Sequence, residues 1–180
     1  MALSIIFAVI VFVAILVAYI NSRPASFRVE REAHVDAPPE IVFGLINDFH
    51  QWEKWSPYDK LDPNMKKSFD GPEAGPGASY AWEGNDKARQ GRMTILDSKP
   101  VESVSIKLEF IKPFVATNQT TFELVPTEYG TKVAWMMEGQ NSFTGKAFSV
   151  FKGMEEVLGK DFERGLFNLN KAAIEAKRRG

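Results

Sequence analysis

The chain has 180 residues and a nearly balanced charge, with 22 basic against 23 acidic side chains. Its length allows one globular domain with a substantial core, and its charge balance does not indicate a nucleic-acid partner. It contains no cysteine and only two histidines, which excludes disulfides, thiolate metal sites and a cysteine nucleophile and argues against a multi-histidine metal site.

The first segment is apolar and carries no charged side chain from Ala2 to Ile20. As a helix this run is about 28 Å long, close to the roughly 30 Å hydrocarbon core of a bilayer. A cleaved signal peptide and a buried core helix are the alternatives. A signal peptide begins with basic residues and ends in a small-x-small cleavage site, but here no basic residue precedes the run and no clean site follows it. We predict a transmembrane anchor over residues 1–22 and a linker over residues 23–26.

The orientation of this anchor follows from the charges beside it. Arg23, Arg28 and Arg31 follow the apolar run, and only the amino terminus precedes it. The positive-inside rule then places the C-terminal domain in the cytoplasm, as part of a single-pass membrane protein. Because Arg28 and Arg31 fall in a predicted strand, the opposite side of the membrane stays open.

The domain begins with one strand and two short helices. Alternating polar and apolar residues in FRVEREAHV, residues 27–35, predict a half-buried strand. Apolar residues at helical spacing after two consecutive prolines predict a short helix. Pro57 and Pro63 limit the next segment to a second short helix or turn, and residues 71–80 form a connection rich in glycine and proline.

Strands and one long helix complete the chain. Runs with a period of two cover residues 79–139 and keep one face apolar, and turn sequences between them predict antiparallel neighbours. Apolar residues recur every three or four positions between residues 146 and 177, which predicts a helix with a break near Gly153. An antiparallel sheet with one apolar face, crossed by one amphipathic helix, is an α+β two-layer domain.

Four motifs occur in order along the chain: HVDAPPEIVFGLIND, DFHQWEKWSPY, GPGASYAWEG and GKDFERGLFNLNKA. With the order of elements, they resemble the START-like, or SRPBCC, domains of the polyketide cyclase/dehydrase group over roughly residues 27–176. The resemblance implies the helix-grip fold over residues 27–180, in which a curved antiparallel sheet wraps on a long C-terminal helix. It says little about function, because such folds host lipid carriers, receptors and cyclases. The N-terminal anchor is a departure from many of these domains.

The resemblance also implies a hydrophobic cavity between the sheet and the C-terminal helix. Its lining would come from nine residues on predicted apolar faces: Tyr80, Trp82, Met93, Phe110, Phe122, Trp135, Met137, Leu158 and Phe162. Trp52 and Trp55, one helical turn apart, would add two rings from the second short helix. Phe148 and Phe151 in the segment KAFSVFK would form a gate. The alternative for each residue is that it simply fills a core.

No catalytic or metal-binding constellation is present. The sequence lacks nucleophile, zinc-protease, Walker and dinucleotide-binding motifs, so we predict no catalytic residue, no metal and no cofactor. The nearest acid–base candidates are His50, Asp48 and Asp161. We interpret them as a helix-end hydrogen bonder, a capping residue and a surface charge, respectively. His34 falls on the polar face of the first strand, where we expect it to be solvated.

The sequence therefore favours a membrane-anchored domain that binds a lipid or other hydrophobic small molecule. The alternative is a cyclase- or dehydrase-like enzyme that acts on an apolar substrate in the same cavity. The expected partners are the membrane and the apolar molecule, without nucleic acid, and no motif identifies a protein partner.

Overall fold

The structure is a computed structural model that describes residues 2–113, 115–141, 146 and 154–179. Its helices are α1 (Ala2–Asn21), α2 (Pro39–Asn47), a 3-10 helix (Phe49–Lys54) and α3 (Met154–Arg179). Its strands are β1 (Ser26–Val35), β2 (Lys66–Asp70), β3 (Ser79–Glu83), β4 (Gln90–Lys99), β5 (Ser103–Lys112), β6 (Ala116–Thr127) and β7 (Gly130–Gln140). The predicted fold class is confirmed.

The seven strands form one antiparallel sheet in the order β1-β7-β6-β5-β4-β3-β2. Strands β2 to β7 follow each other through short connections, whereas β1 pairs with β7 at the opposite end of the chain. The two short helices therefore lead the chain from one edge of the sheet to the other. This path places them, together with α3, over the apolar face of the sheet.

Strand β2 is the one strand that the sequence pattern does not predict. It lies at the edge of the sheet and pairs only with β3. All five of its residues are exposed, so its side chains do not alternate between a buried and a solvated face. Periodicity arises from burial on one face, and it is lost where neither face is covered.

The two tryptophans of DFHQWEKWSPY are held by the end of α2. The indole Nε1 of Trp52 donates to the carbonyl oxygen of Ile46 at 2.9 Å, and that of Trp55 donates to Leu45 at 2.9 Å. The last carbonyls of a helix have no partner within the helix. The indoles therefore supply those partners while their rings enter the core, where both residues are buried.

Gly159 lies inside α3 without ending it. A Cβ atom there would collide with the guanidinium of Arg31 from β1. That guanidinium donates to Glu155 at 2.6 Å and to Glu163 at 2.8 Å. Glycine thus lets the arginine lie flat on the helix between two carboxylates of α3. The break predicted near Gly153 lies outside the described residues.

Helix α1 lies outside the packed domain, and large side chains such as Ile5, Phe7 and Phe12 are exposed. In this structure the helix is therefore not packed into the core of the domain. The helix is long and apolar enough to cross a membrane over Ser4–Asn21, a property that it shares with signal sequences.

Candidate functional site

A cavity of about 310 Å³ lies between the apolar face of the sheet and the first turns of α3. Its wall comes from β3 to β7, from the 3-10 helix and the segment after it, and from α3. Pockets for small molecules span roughly 300–1,000 Å³. The volume is therefore at the lower end of what a small ligand needs.

Most of the predicted cavity residues are on this wall. They are Trp52, Tyr80, Trp82, Met93, Phe110, Trp135, Met137 and Leu158. Whether they contact a ligand stays a prediction. The two predicted gate residues, Phe148 and Phe151, lie outside the described residues.

Three other predicted cavity residues, Trp55, Phe122 and Phe162, are not on this wall. Each is fully buried in a cluster of rings. The ring of Phe122 lies 5.9 Å from that of Trp55 and 4.9 Å from that of Trp135, and Phe162 stacks on Trp135 at 4.1 Å. The rings pack against each other, and of these four residues only Trp135 also borders the cavity.

One row of residues crosses the whole sheet, and its middle part, from Tyr80 to Asn118, forms part of the cavity wall. Cross-strand pairing places these residues side by side from β2 to β1: Phe69, Tyr80, Met93, Leu108, Asn118, Gly139 and Phe27. Six positions carry side chains, and Gly139 is the gap. A Cβ at Gly139 would collide with the Asn118 carboxamide, so the glycine makes room for this amide on the sheet.

Asn118 is a polar residue on the apolar face of the sheet. It lines the cavity and is only 7% exposed. Its side chain has no hydrogen-bond partner among the described residues, although an amide group can donate two bonds and accept others. The side-chain nitrogen and oxygen of Asn118 are not fully enclosed by protein atoms, so they are accessible from the cavity. A ligand with a hydrogen-bonding group could therefore pair with this amide.

The Tyr58 hydroxyl is a second unpaired polar group on the cavity wall. It is buried, and no partner for it lies in the described part of the chain. Burial raises the pKa of Tyr58 well above its ordinary value, and the nearby Asp161 carboxylate raises it further. The phenol is therefore uncharged at neutral pH. Its proton is available to a ligand oxygen.

Asp161 also lines the cavity, from α3, which corrects its interpretation as an ordinary surface charge. Tyr58 was likewise not among the predicted cavity residues. The sequence signal for Asp161 is its position three residues after Leu158, on the same face of the helix. The signal for Asn118 is its place in the apolar phase of TNQTTFELV, two and four residues before Thr120 and Phe122.

A short chain of hydrogen bonds fixes the wall at Tyr80. Its hydroxyl donates to Asp59 at 3.0 Å, and Lys67 donates to the other oxygen of this carboxylate at 2.8 Å. Burial raises the pKa of Tyr80, and the charge of Asp59 and the bond to it add to this effect. The buried carboxylate is thus paired with a cation and a neutral donor. This leaves Tyr80 rigid and uncharged.

The mouth of the cavity lies at one end of the sheet. Wall residues near the middle of the sheet, such as Thr120 and Trp135, are buried, whereas Leu61, Lys87 and Arg89 are exposed. Lys87 and Arg89 belong to the connection between β3 and β4, and Leu61 precedes β2. The cavity therefore opens between these two connections.

The other acid–base candidates, His50 and Asp48, are not part of the described cavity wall. Asp48 accepts from the His50 amide at 2.8 Å at the start of the 3-10 helix, and the His50 ring Nδ1 lies 2.8 Å from the same carboxylate oxygen. Burial alone would raise the pKa of Asp48, but hydrogen bonds from Gln51 and His50 outweigh it and lower this pKa. The predicted capping and helix-end roles are confirmed.

His34 and possible metal ligands are the remaining candidates for reactive groups. His34 is exposed, with its ring Nε2 3.6 Å from Asp36. In the described part of the chain, no three His, Cys, Asp or Glu side chains group closely enough to hold a metal ion.

Comparison with known proteins identifies a family to which most of the chain matches. The family model described as "Polyketide cyclase / dehydrase and lipid transport" matches residues 26–173. The chain matches none of the curated proteins.

Solved structures share the fold at low sequence identity. The chain is similar to protein CV1439 from Chromobacterium violaceum, with 18% identity, a TM-score of 0.58 and coverage of 84% of this chain and 98% of that one. It is similar to SA2116 from Staphylococcus aureus, a protein of unknown function, with 13% identity, a TM-score of 0.62 and coverage of 85% and 96%. The di-domain ARO/CYC StfQ from the steffimycin biosynthetic pathway has 10% identity and a TM-score of 0.62, with coverage of 85% and 52%.

Proposed function

The chain belongs to the polyketide cyclase/dehydrase and lipid transport family, and from this membership we propose that its domain binds a hydrophobic small molecule in the cavity under α3. The observation that carries the proposal is the combination of a cavity with an apolar wall and the buried, unpaired hydroxyl of Tyr58 on that wall. A core that serves only stability would fill this space, because empty volume and unpaired polar groups both reduce stability.

The volume and the wall define the ligand class. At roughly 30 Å³ for a water-sized group, 310 Å³ holds about ten such groups. The rings of Trp52 and Trp82 and the side chains of Met93 and Met137 give the ligand an apolar and adaptable surface. A small isoprenoid, a medium-length acyl chain or a compact ring system fits these limits.

The polar groups favour a ligand with an uncharged oxygen. Asn118 and Tyr58 offer neutral donors, while Asp59 and Asp161 place negative charge on or beside the wall. Lys87 and Arg89 could pair with a carboxylate only at the mouth, and a carboxylate further inside would lose its hydration and lie near Asp161. A hydroxyl or carbonyl group inside the cavity could instead pair with Asn118 or Tyr58 without a charge penalty.

We further propose that α1 anchors the domain to a membrane, with the domain on the cytoplasmic side. Arg23, just after the helix, donates to the Tyr19 hydroxyl and lies 4.7 Å from the centre of its ring. Tyrosine and basic residues are typical of the water interface at the end of a spanning helix. This contact supports an anchor that ends near residue 23.

The test of ligand binding uses the full-length chain in detergent micelles. We expect native mass spectrometry to detect a co-purified apolar molecule and the neutral probe N-phenyl-1-naphthylamine to bind with increased fluorescence. Ala88→Trp, which adds a ring at the mouth, should weaken probe binding at least tenfold. Val125→Trp, at an exposed position on the other end of β6, is the matched control and should bind normally. A wild-type chain that carries no apolar molecule and binds no probe would refute the proposal.

A second candidate function, catalysis on the bound molecule, is favoured by one observation. The neutral Tyr58 hydroxyl and the Asp161 carboxylate both face the cavity, and such a pair can move a proton to or from an apolar substrate. The test is loss of water from a short poly-β-ketone, followed by mass spectrometry. Catalysis predicts product with the wild type and none with Tyr58→Phe at equal probe affinity, and absence of product from both would count against it.

A further inference from the structure

Helix α1 enters the domain at one end of the sheet. It ends at Asn21, and β1 begins at Ser26, so only four residues separate them. Fully extended, this connection spans at most about 17 Å. A membrane that contains α1 must therefore lie within about this distance of the end of the sheet where β1 begins.

The register shows which connections share that end. Gln140 pairs with Ser26, and the pairing of Lys112 with Gln90 and of Glu83 with Lys66 continues to β2. The β3–β4 and β5–β6 connections both lie at this end of the sheet. The mouth of the cavity, which the β3–β4 connection borders, therefore faces the side from which α1 emerges.

The β5–β6 connection projects further toward α1 than β1 does. Asn118 and Phe27 both pair with Gly139 and so lie at one level. Ser26 is one residue beyond this level and Val115 is three. At about 3.3 Å per residue, Val115 extends roughly 7 Å beyond the start of β1. The tip of this connection therefore lies closer to the membrane than the start of β1 does.

Two of the described side chains at this tip are apolar and exposed. Val115 is 84% exposed and Ile111 is 46% exposed. Between them lie Lys112 and Pro113, and the sequence of the segment is IKPFV. Exposed apolar side chains beside a lysine are suited to the boundary between lipid headgroups and acyl chains.

The charge of the same end favours an anionic surface. Basic residues at this end of the sheet are Arg23, Lys66, Lys87, Arg89 and Lys112, and the acidic residues there are Asp62, Glu83 and Asp86. Anionic lipid headgroups attract basic residues that lie close to the membrane surface. The excess of basic residues is therefore complementary to anionic headgroups.

We propose that the β5–β6 tip and the β3–β4 connection rest on the surface of the bilayer that holds α1, so that the cavity mouth faces the lipid. This inference rests on the proposed function, because it requires both the membrane anchor and the cavity. Beyond that function, it assigns a membrane-contact surface to the domain and a route for the ligand. An apolar molecule passes between the bilayer and the cavity without crossing bulk water.

The absence of cysteine from the chain allows the contact to be measured with single labels. Val115→Cys and the control Val125→Cys, which is 56% exposed near the other end of β6, each receive an environment-sensitive nitrobenzoxadiazole label. The full-length chain is reconstituted in vesicles of phosphatidylcholine and phosphatidylglycerol. We expect a blue-shifted emission at position 115, with several-fold stronger quenching by nitroxide-labelled lipid than at position 125.

Three results would overturn the inference. Equal and weak lipid quenching at both positions would show that the tip stays in water. A label at position 115 that is shielded from aqueous iodide but not quenched by lipid would show that a protein, such as a second copy of the chain, covers the tip. Release of the chain from vesicles by alkaline carbonate would refute the anchor as well. Normal binding of N-phenyl-1-naphthylamine in any of these cases would leave the ligand cavity intact.

The route predicts a kinetic effect that is separate from affinity. Ile111→Asp combined with Val115→Asp should slow transfer of N-phenyl-1-naphthylamine from vesicles to the full-length protein several-fold. Its equilibrium affinity in micelles should not change, because neither residue lines the cavity. The control Val125→Asp should transfer the probe at the wild-type rate. Equal transfer rates for all three proteins would refute the route.

Discussion

The two ends of the apolar face of the sheet differ in how they are filled. Toward the end far from α1, four rings form an aromatic cluster: Trp55, Phe122, Trp135 and Phe162, with neighbouring centroids 4.1–5.9 Å apart. Toward the end near α1, the same face borders a cavity of about 310 Å³. One sheet therefore combines a close-packed core with a hollow.

The difference comes from a few positions on the same strands. Along β6, Asn118, Thr120 and Phe122 point to the same face. Phe122 fills its level together with Trp55 from the chain segment after α2. Asn118 instead places its carboxamide over Gly139 and borders the cavity. Over four residues of β6, the same face therefore changes from packed core to cavity wall.

The largest expected effect is a difference in stability loss between a substitution in the aromatic cluster and one at the cavity. Phe122→Ala removes a fully buried ring and should lower the free energy of unfolding by about 3–5 kcal/mol. Met93→Ala removes a side chain that already faces the cavity and should cost about 2 kcal/mol or less. Urea unfolding of the full-length chain in micelles measures both. Equal losses would contradict the distinction between packed and hollow ends.

Sequence alone predicts the fold better than it predicts this distinction. Alternation in β1 and in β3 to β7 and the stripe on α3 follow from burial of one face, and they predict the elements. However, apolar and polar residues alternate in the same way at both ends of the sheet. Phe122 and Met137 are both apolar, and both fall on the apolar face of their strands. Only the three-dimensional arrangement of Trp55 and Phe162 shows that the first is core and the second is cavity wall.

Strand β2, Tyr58 and Asn118 were not predicted from the sequence, and the physical reason differs for each. Strand β2 is exposed on both faces and has no period. Tyr58 follows Pro57 in an irregular segment, where no periodicity indicates the direction of a side chain. Asn118 could have been found, because a polar residue in an apolar phase is a visible departure from the pattern.

Alkaline pH should lower the stability of the folded chain through the two tyrosines at the cavity and not through the aromatic cluster. Both Tyr58 and Tyr80 line the cavity, and burial raises the pKa of each above the ordinary value of 10.0. An unfolded tyrosine ionises near pH 10 while the folded one stays neutral, so stability is retained below about pH 10 and is lost as the pH rises further. The slope is about 1.4 kcal/mol per pH unit for each group.

The control for this titration is Tyr58→Phe combined with Tyr80→Phe. Its free energy of unfolding should fall less steeply above pH 10 than that of the wild type, by about 2–3 kcal/mol at one unit above pH 10. The aromatic cluster contains no tyrosine, so it contributes nothing to this slope. Parallel pH profiles for the two proteins would contradict the assignment.

Replacing tyrosine by phenylalanine should have opposite effects on stability at two positions of the cavity wall. Tyr58→Phe removes a buried hydroxyl without a partner and should raise the free energy of unfolding of the empty protein by up to about 1 kcal/mol. Tyr80→Phe removes the donor to Asp59 and should lower it by about 1–2 kcal/mol. Unfolding in urea at neutral pH gives both values. The same sign for both would mean that Tyr58 has a partner in solution.

The smallest effect is expected where the aromatic cluster ends at the sheet edge. In the cross-strand row that contains Phe122 and Trp135, the next position on β1 is Arg31. It contacts α3 through Glu155 and Glu163 instead of through a ring. These carboxylates are 61% exposed, and ion pairs with exposed partners contribute little because water and salt screen them.

Glu163→Gln should therefore lower the free energy of unfolding by less than about 1 kcal/mol, and added salt should reduce the loss. Glu156→Gln is the matched control, because Glu156 pairs only with Lys160 on the solvated side of α3, at 3.5 Å, and should cause no measurable change. A loss from Glu163→Gln as large as that from Phe122→Ala would show that charge holds α3 on the sheet as strongly as the rings do. The expected order, with the ring far above the carboxylate, follows because water is excluded from the cluster but reaches the edge strand.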